Sequence, residues 1–273
     1  MFSGALPLLL VGAGKMGGAM LHRWVEGGVD PKRISVLDPF LDETGAATLR
    51  KGGGTVARKT GEARGRDYKT IVVAVKPQSM AGVLPEIAAL ATPDTVIVSI
   101  AAGVKLATLQ AAFPPRQPIV RAMPNTPAQI GKGISVAVAN EAASEAQRAI
   151  VDALLAAVGK VAWVDDEGLI DAVTAVSGSG PAYVFLLAEC LAEGGRRAGL
   201  PDDLAEKLGR ETVAGAGALL GSSQLTPTEL RQNVTSPGGT TAAALSVLMA
   251  HDGLAALMIR AVEAAKKRSI ELG

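Results

Sequence analysis

The chain has 273 residues, 48% of them hydrophobic and 19% charged, with 27 Lys and Arg against 26 Asp and Glu. That length suits two domains, the apolar share excludes global disorder, and the balanced charge leaves no footprint for nucleic acid or an acidic membrane surface. The single cysteine, Cys190, excludes an internal disulfide, and His22 and His251 lie too far apart in sequence to announce a zinc cluster, so no metal site is expected.

Taken in chain order, the first apolar run is Leu8–Val11, followed at once by Gly12-Ala13-Gly14-Lys15-Met16-Gly17 and by Lys15–Glu26, a stretch with helical spacing. The run lacks the basic start and cleavage site of a signal peptide. A strand running into G-x-G-x-x-G and then a helix is the setting in which that pattern binds a dinucleotide. Gly12 makes the tight turn, Gly14 lets the backbone approach a pyrophosphate, and Gly17 lets the helix pack on the strand. Lys15 and Met16 sit at the helix start, where free N–H groups and the positive dipole end favour phosphates.

A second run, Ile34–Leu37, ends on Asp38, 21 residues after Gly17. A carboxylate there accepts hydrogen bonds from ribose hydroxyls and repels a 2′-phosphate. No Arg or Lys occurs within Pro39–Thr48, so the sequence leans to NADH over NADPH. The alternative is an ordinary turn residue before Pro39. The run Thr70–Val75 then leads to Lys76-Pro77-Gln78, where Pro77 releases the chain from the ladder. Val75, Lys76 and Pro77 are therefore further cofactor candidates, at the carboxyl end of a strand.

Apolar runs continue at Thr95–Ile100, Ile119–Arg121, Ile134–Ala139 and Val161–Val164, with helical spacing at Gln78–Ala91 and Ser144–Val158. This alternation predicts an α/β domain on a mostly parallel sheet over residues 1–165. Residues 166–273 carry no further β-branched runs and read as an all-α domain, broken at Gly199–Pro201, Pro227 and Pro237–Gly239. No run of about 20 uncharged apolar residues suggests a membrane span. A soluble, cytoplasmic protein is the expectation.

In the second domain Tyr183, Leu186, Leu187, Cys190, Leu191 and Gly194 define one helical face, yet Val184, Phe185, Ala188 and Ala192 occupy the others. A helix apolar nearly all round must be buried on all sides. In a small helical domain that calls for another subunit, unless the helix is central in a monomeric bundle.

Three stretches read as site loops: Met123-Pro124-Asn125-Thr126-Pro127, Ser177-Gly178-Ser179-Gly180-Pro181-Ala182-Tyr183, and Val234-Thr235-Ser236-Pro237-Gly238-Gly239-Thr240-Thr241. The last leads into an Ala/Leu helix and makes a nest of N–H groups suited to a carboxylate. Each alone is also explained as a capped helix entry. Asn125 is a candidate for both cofactor and substrate, and Ser179 for substrate.

With A-V-K-P-Q at 74–78 and M-P-N-T-P-A at 123–128, these motifs span essentially the whole chain, and the sequence resembles the pyrroline-5-carboxylate reductases. The resemblance implies a Rossmann-type dinucleotide-binding domain followed by an all-α dimerisation domain. It implies interlocked homodimers, often assembled five together into a decamer, and NAD(P)H-dependent reduction of Δ1-pyrroline-5-carboxylate to L-proline. It places the substrate carboxylate on Ser236, Gly238, Gly239, Thr240 and Thr241, with the Thr241 hydroxyl at the ring nitrogen as the catalytic group. Many members carry Asn, Arg, Ser or Thr at the end of the second strand, where this chain has Asp38-Pro39-Phe40.

The chemistry agrees with that resemblance. Reducing a C=N bond needs hydride on carbon and a proton on nitrogen, and a basic cyclic imine arrives protonated or nearly so. No strong general base is then required, unlike in alcohol oxidation. The lysine-free stretch 161–206 argues against a β-hydroxyacid dehydrogenase, which uses a lysine as acid/base. A serine hydrolase built on Ser177 or Ser179 lacks a histidine partner. A non-catalytic dinucleotide sensor would leave the three loops unexplained.

Overall fold

A computed structural model describes residues 2–273. By backbone contacts the chain separates into two units. One comprises the residues up to Gly178 together with Lys266–Gly273, and the other is Ser179–Ala265.

The first unit is built on strands β1 (Leu8–Val11), β2 (Ile34–Leu37), β3 (Thr55–Ala57), β4 (Thr70–Val73), β5 (Val96–Ser99), β6 (Ile119–Met123), β7 (Gly133–Ala139) and β8 (Gly159–Trp163). They form one sheet in the order β3-β2-β1-β4-β5-β6-β7-β8, parallel throughout except where β6 meets β7. Helices α1 (Lys15–Glu26), α2 (Glu43–Lys51), α3 (Met80–Ala88), α4 (Leu106–Ala111) and α5 (Glu145–Ala156) occupy the connections, and α6 (Ile170–Val173) follows β8. The order reverses between β1 and β4, which opens a crevice at the carboxyl ends of those strands.

The uniform apolarity of the strands follows from cover on both faces. Leu8 and Leu10 of β1 pack with Met20 and Trp24 of α1 and Leu154 and Leu155 of α5. Leu9 and Val11 face the other way, with Leu84 and Ile87 of α3 and Leu109 of α4. Each fully buried side chain of this kind contributes about 1.5–3 kcal/mol. The polar edge of Trp24 is also satisfied, because its Nε1–H donates to Leu154 O at 2.9 Å.

Three elements go beyond the sequence reading: β3, α2 and α4. β3 has three residues behind Gly52-Gly53-Gly54, too few for a periodic signal. α2 is short and polar, and it is set by Asp42, whose side chain accepts from Gly45 N at 2.7 Å.

The second unit contains α7 (Gly180–Arg197), α8 (Asp202–Ser222), α9 (Pro227–Asn233), α10 (Thr240–Leu248) and most of α11 (Leu254–Leu272). α7 ends in a Schellman turn. Gly199 takes φ +98°, Leu200 N donates to Gly195 O and Gly199 N donates to Arg196 O. Arg196 Nε then meets Asp202 at 3.1 Å, at the first residue of α8. α7 and α8 approach closely because the seam is small: a Cβ on Gly209 would stand 2.6 Å from Ala188 O. α9 opens with a capping box between Thr226 and Glu229, and the Thr226 N–H holds the Glu229 carboxyl below its ordinary pKa.

The stretch 177–183, expected as a loop, is helical instead. Thr174–Gly178 is a π-helical turn, and α7 begins at Gly180 with Pro181 in its first turn, where a missing N–H costs nothing. Thr174 and Ser177 donate their hydroxyls to Ile170 O and Val173 O, which absorbs the polar side chains into the helix. As a result the run Glu167–Arg197 is long and apolar enough to cross a membrane by length and composition. The sequence reading missed it because Asp171 and Glu189 bracket only seventeen uncharged residues.

Candidate functional site

In the sheet unit the candidate cofactor residues gather at one edge. Gly12, Gly14, Lys15, Met16 and Gly17 follow β1, Asp38 follows β2, and Val75, Lys76 and Pro77 follow β4. Gly12 adopts φ +88°, and a Cβ there would stand 3.0 Å from Ala74 O and from Val75 Cγ1, so the β1 and β4 loops lie against one another. Gly17 is obligatory for a different reason: its Cβ would fall 2.2 Å from Gly12 O. A Cβ on Gly14 would meet nothing within 4 Å, so this glycine faces open space. Gly14 also caps α1 without a side-chain hydrogen bond, leaving the first-turn N–H groups to another partner. An uncapped helix start behind an open glycine fits the pyrophosphate of a dinucleotide.

Asp38 is nearly buried, at 9% exposure, and both carboxylate oxygens are engaged. Oδ2 accepts from Ala13 N at 2.7 Å and Oδ1 from Phe40 N at 2.8 Å, so the side chain ties the glycine loop to the end of β2. Each oxygen retains a lone pair for a ribose hydroxyl. Lys76 and Lys15 are exposed, and Pro77 starts a short 3-10 turn. Asn125 lies at the end of β6, on the same edge; its Oδ1 accepts from Ile134 N at 2.9 Å, which fixes the turn onto β7. Met123 also touches the π-helical turn, since a Cβ on Gly178 would be 2.5 Å from its Cε.

Sequence reasoning missed one charged group here. Arg58, just past β3, donates through Nη1 to Pro39 O at 3.1 Å and Leu41 O at 2.6 Å, and through Nη2 to Glu43 at 2.8 Å. The signal was absent because Arg58 lies twenty residues beyond Asp38, behind a strand too short to detect.

In the helical unit Ser236, Gly238, Gly239, Thr240 and Thr241 form one turn at the start of α10. Gly238 takes φ +70°, and Gly239 N donates to Ser236 O at 3.0 Å. Gly239 caps α10 with extended backbone and no side-chain bond, so the first N–H groups of α10 are available to a carboxylate. Neither threonine hydroxyl has a hydrogen-bond partner among the described residues. Ser179 precedes α7 and likewise makes no side-chain cap. A cavity of about 370 Å³ opens between α9 and α10, lined by Arg231, Thr235, Leu245 and Met249 among others, and none of the candidate substrate residues lines it. His22 and His251 are both exposed and belong to neither group.

Comparison with known proteins agrees across the full length. The family described as "Pyrroline-5-carboxylate reductase dimerisation" matches residues 167–272, and "NADP oxidoreductase coenzyme F420-dependent" matches residues 8–103. The chain is 41% identical over 268 residues to a pyrroline-5-carboxylate reductase of Pseudomonas aeruginosa, covering 97% of this chain and 96% of that one. A Synechocystis pyrroline-5-carboxylate reductase is likewise 41% identical over 276 residues, covering 98% and 99%. Among solved structures, a pyrroline-5-carboxylate reductase from Coxiella burnetii superposes with a TM-score of 0.89 at 34% identity, covering 98% of this chain and 99% of that one. The Plasmodium falciparum pyrroline carboxylate reductase with NADP bound gives 0.82 at 28% identity, covering 100% and 99%.

Proposed function

The chain belongs to the pyrroline-5-carboxylate reductase family, and from that premise we infer that it reduces Δ1-pyrroline-5-carboxylate to L-proline with a nicotinamide dinucleotide, the last step of proline biosynthesis. One observation carries the reading beyond the family match. α1 and α10 each open on a glycine without a side-chain cap, one helix in each unit. The first suits a pyrophosphate and the second a carboxylate, the two anionic groups this reaction brings together.

When bound, the reduced nicotinamide supplies hydride to the imine carbon. The protein's part is to bind and orient. Ser236, Gly238, Gly239 and Thr240 hold the substrate carboxylate at the start of α10; Ser179 in the helical unit and Asn125 in the sheet unit are the further substrate candidates. The free Thr241 hydroxyl hydrogen-bonds the ring nitrogen as that atom changes from iminium to amine. The C=N π bond is replaced by a new C–H bond, and the nitrogen keeps the proton with which it arrived. No residue need act as a strong base, and proximity supplies much of the rate.

The helical unit mediates homo-oligomerisation. Exposed Val184, Phe185, Leu186 and Leu187 support burial of α7 by a second copy. Five such dimers make a decamer in this reading, and the single cysteine supports a cytoplasmic home. The choice between NADH and NADPH turns on one corner of the sheet. Asp38 by itself favours NADH, but each of its oxygens already accepts one backbone N–H, and the Arg58 guanidinium is bonded to the loop that Asp38 begins.

The test is nicotinamide absorbance decay with purified protein and pyrroline-5-carboxylate, run in parallel with NADPH and NADH. Oxidation with proline as product is the expected result. Binding of either cofactor without turnover would point to another substrate or a sensor.

A further inference from the structure

Because β2 and β3 pair in parallel with Leu37 beside Ala57, the residues that leave the two strands emerge abreast. Asp38 N donates to Ala57 O at 3.0 Å, and the first residue past β3 is Arg58. Its guanidinium is held on the carbonyls of Pro39 and Leu41, on either side of Phe40, so the charge is fixed against the segment that follows Asp38. Glu43 completes its contacts at 2.8 Å and also lies 3.6 Å from Arg50 Nη1. That carboxylate is 79% exposed, and an exposed ion pair contributes little. Of the five guanidinium N–H groups, Nε–H and the second Nη2–H have no partner among the described residues. The corner therefore presents an oriented cation, two spare donors and one weakly held counter-ion.

Resting on the reading of this unit as a nicotinamide-dinucleotide site, we propose that Arg58 determines cofactor specificity by binding the 2′-phosphate of NADPH, with Glu43 as the counter-ion that the phosphate displaces. A phosphate accepts bidentate hydrogen bonds from arginine and carries more charge than a carboxylate, so it replaces Glu43 at a net gain. Asp38 opposes the phosphate less than its charge suggests, because the N–H groups of Ala13 and Phe40 face its two oxygens. Asp38 then braces the glycine loop, and Arg58 reads the cofactor.

Calorimetric titration of the full-length protein with two adenosine fragments, 2′,5′-ADP and 5′-AMP, tests this without any turnover. The wild type should bind 2′,5′-ADP about tenfold or more tighter than 5′-AMP. Arg58→Gln should erase that ratio, and Glu43→Gln, which leaves the arginine on its backbone carbonyls, should widen it several-fold. Equal affinity of the wild type for both fragments overturns the proposal. So does an equal loss for both fragments in Arg58→Gln combined with no change of ratio in Glu43→Gln, because Arg58 would then be only a brace. If neither fragment nor whole NADH nor NADPH binds the wild type, the dinucleotide reading itself falls.

Discussion

In the sheet unit all four residues of β1 lie between 0 and 2% exposure, whereas α7 of the helical unit buries only Ala192 among the described residues and turns Phe185 and Leu187 outward at 62% and 44%. The two regions use similar side chains to opposite ends. The sheet unit closes its core with its own helices on both faces. The helical unit closes only the α7–α8 seam, through Ala188, Ala192, Ala205 and Gly209, and leaves its larger apolar surface for a second copy. Exposed apolar area of that kind marks an interface. One region is complete in a single chain and the other is not.

The change expected to break this contrast most severely is the double substitution Leu187→Asp with Leu191→Asp. Two charges on the open face should dissociate the oligomer, at a cost of about 2–4 kcal/mol or more per site. Size-exclusion chromatography should show a smaller species with turnover near background and dinucleotide affinity within a few-fold of wild type. An unchanged elution volume would remove α7 from the interface. The complementary break lies in the sheet unit. Gly17→Val places a side chain where even a Cβ would fall 2.2 Å from Gly12 O, so it should cost cofactor affinity at least about tenfold, or about 1.4 kcal/mol, while the oligomer persists. Fluorescence titration with NADH measures it, and wild-type affinity would contradict the close helix–strand packing. The smallest effect sharpens the contrast within the reaction: Thr241→Ala should lower kcat roughly tenfold with cofactor affinity intact. Unchanged turnover would take Thr241 out of the mechanism.

Much of the sheet unit is legible in the order of its residues. β1, β2 and α1 occupy the ranges that the apolar runs and helical spacing mark out, and the other longer strands differ at their ends by a few residues. Burial on both faces leaves a continuous signal that needs no tertiary knowledge to read. Legibility fails where the local signal is short or ambiguous. β3 has three residues, and the polar α2 depends on the Asp42 cap. Ser177-Gly178-Ser179-Gly180-Pro181 has the composition of a loop, yet it folds as helix because the Ser177 hydroxyl back-bonds to Val173 O and Pro181 falls in a first turn.

The candidate site divides in the same way. The amino-acid sequence alone determined the strand–glycine–helix turn, because Gly12 supplies the positive φ of that turn and Gly17 answers to Gly12 O, five residues before it. It also determined the glycine entry to α10, whose N–H groups are local to the turn. Only the tertiary structure decided what surrounds Asp38. Parallel pairing of β2 with β3 carries Arg58 across twenty residues of sequence and sets it on the loop that Asp38 begins. Strand register is a property of the folded sheet, so the groups that gather at its carboxyl edge are neighbours in space before they can be recognised as neighbours in function.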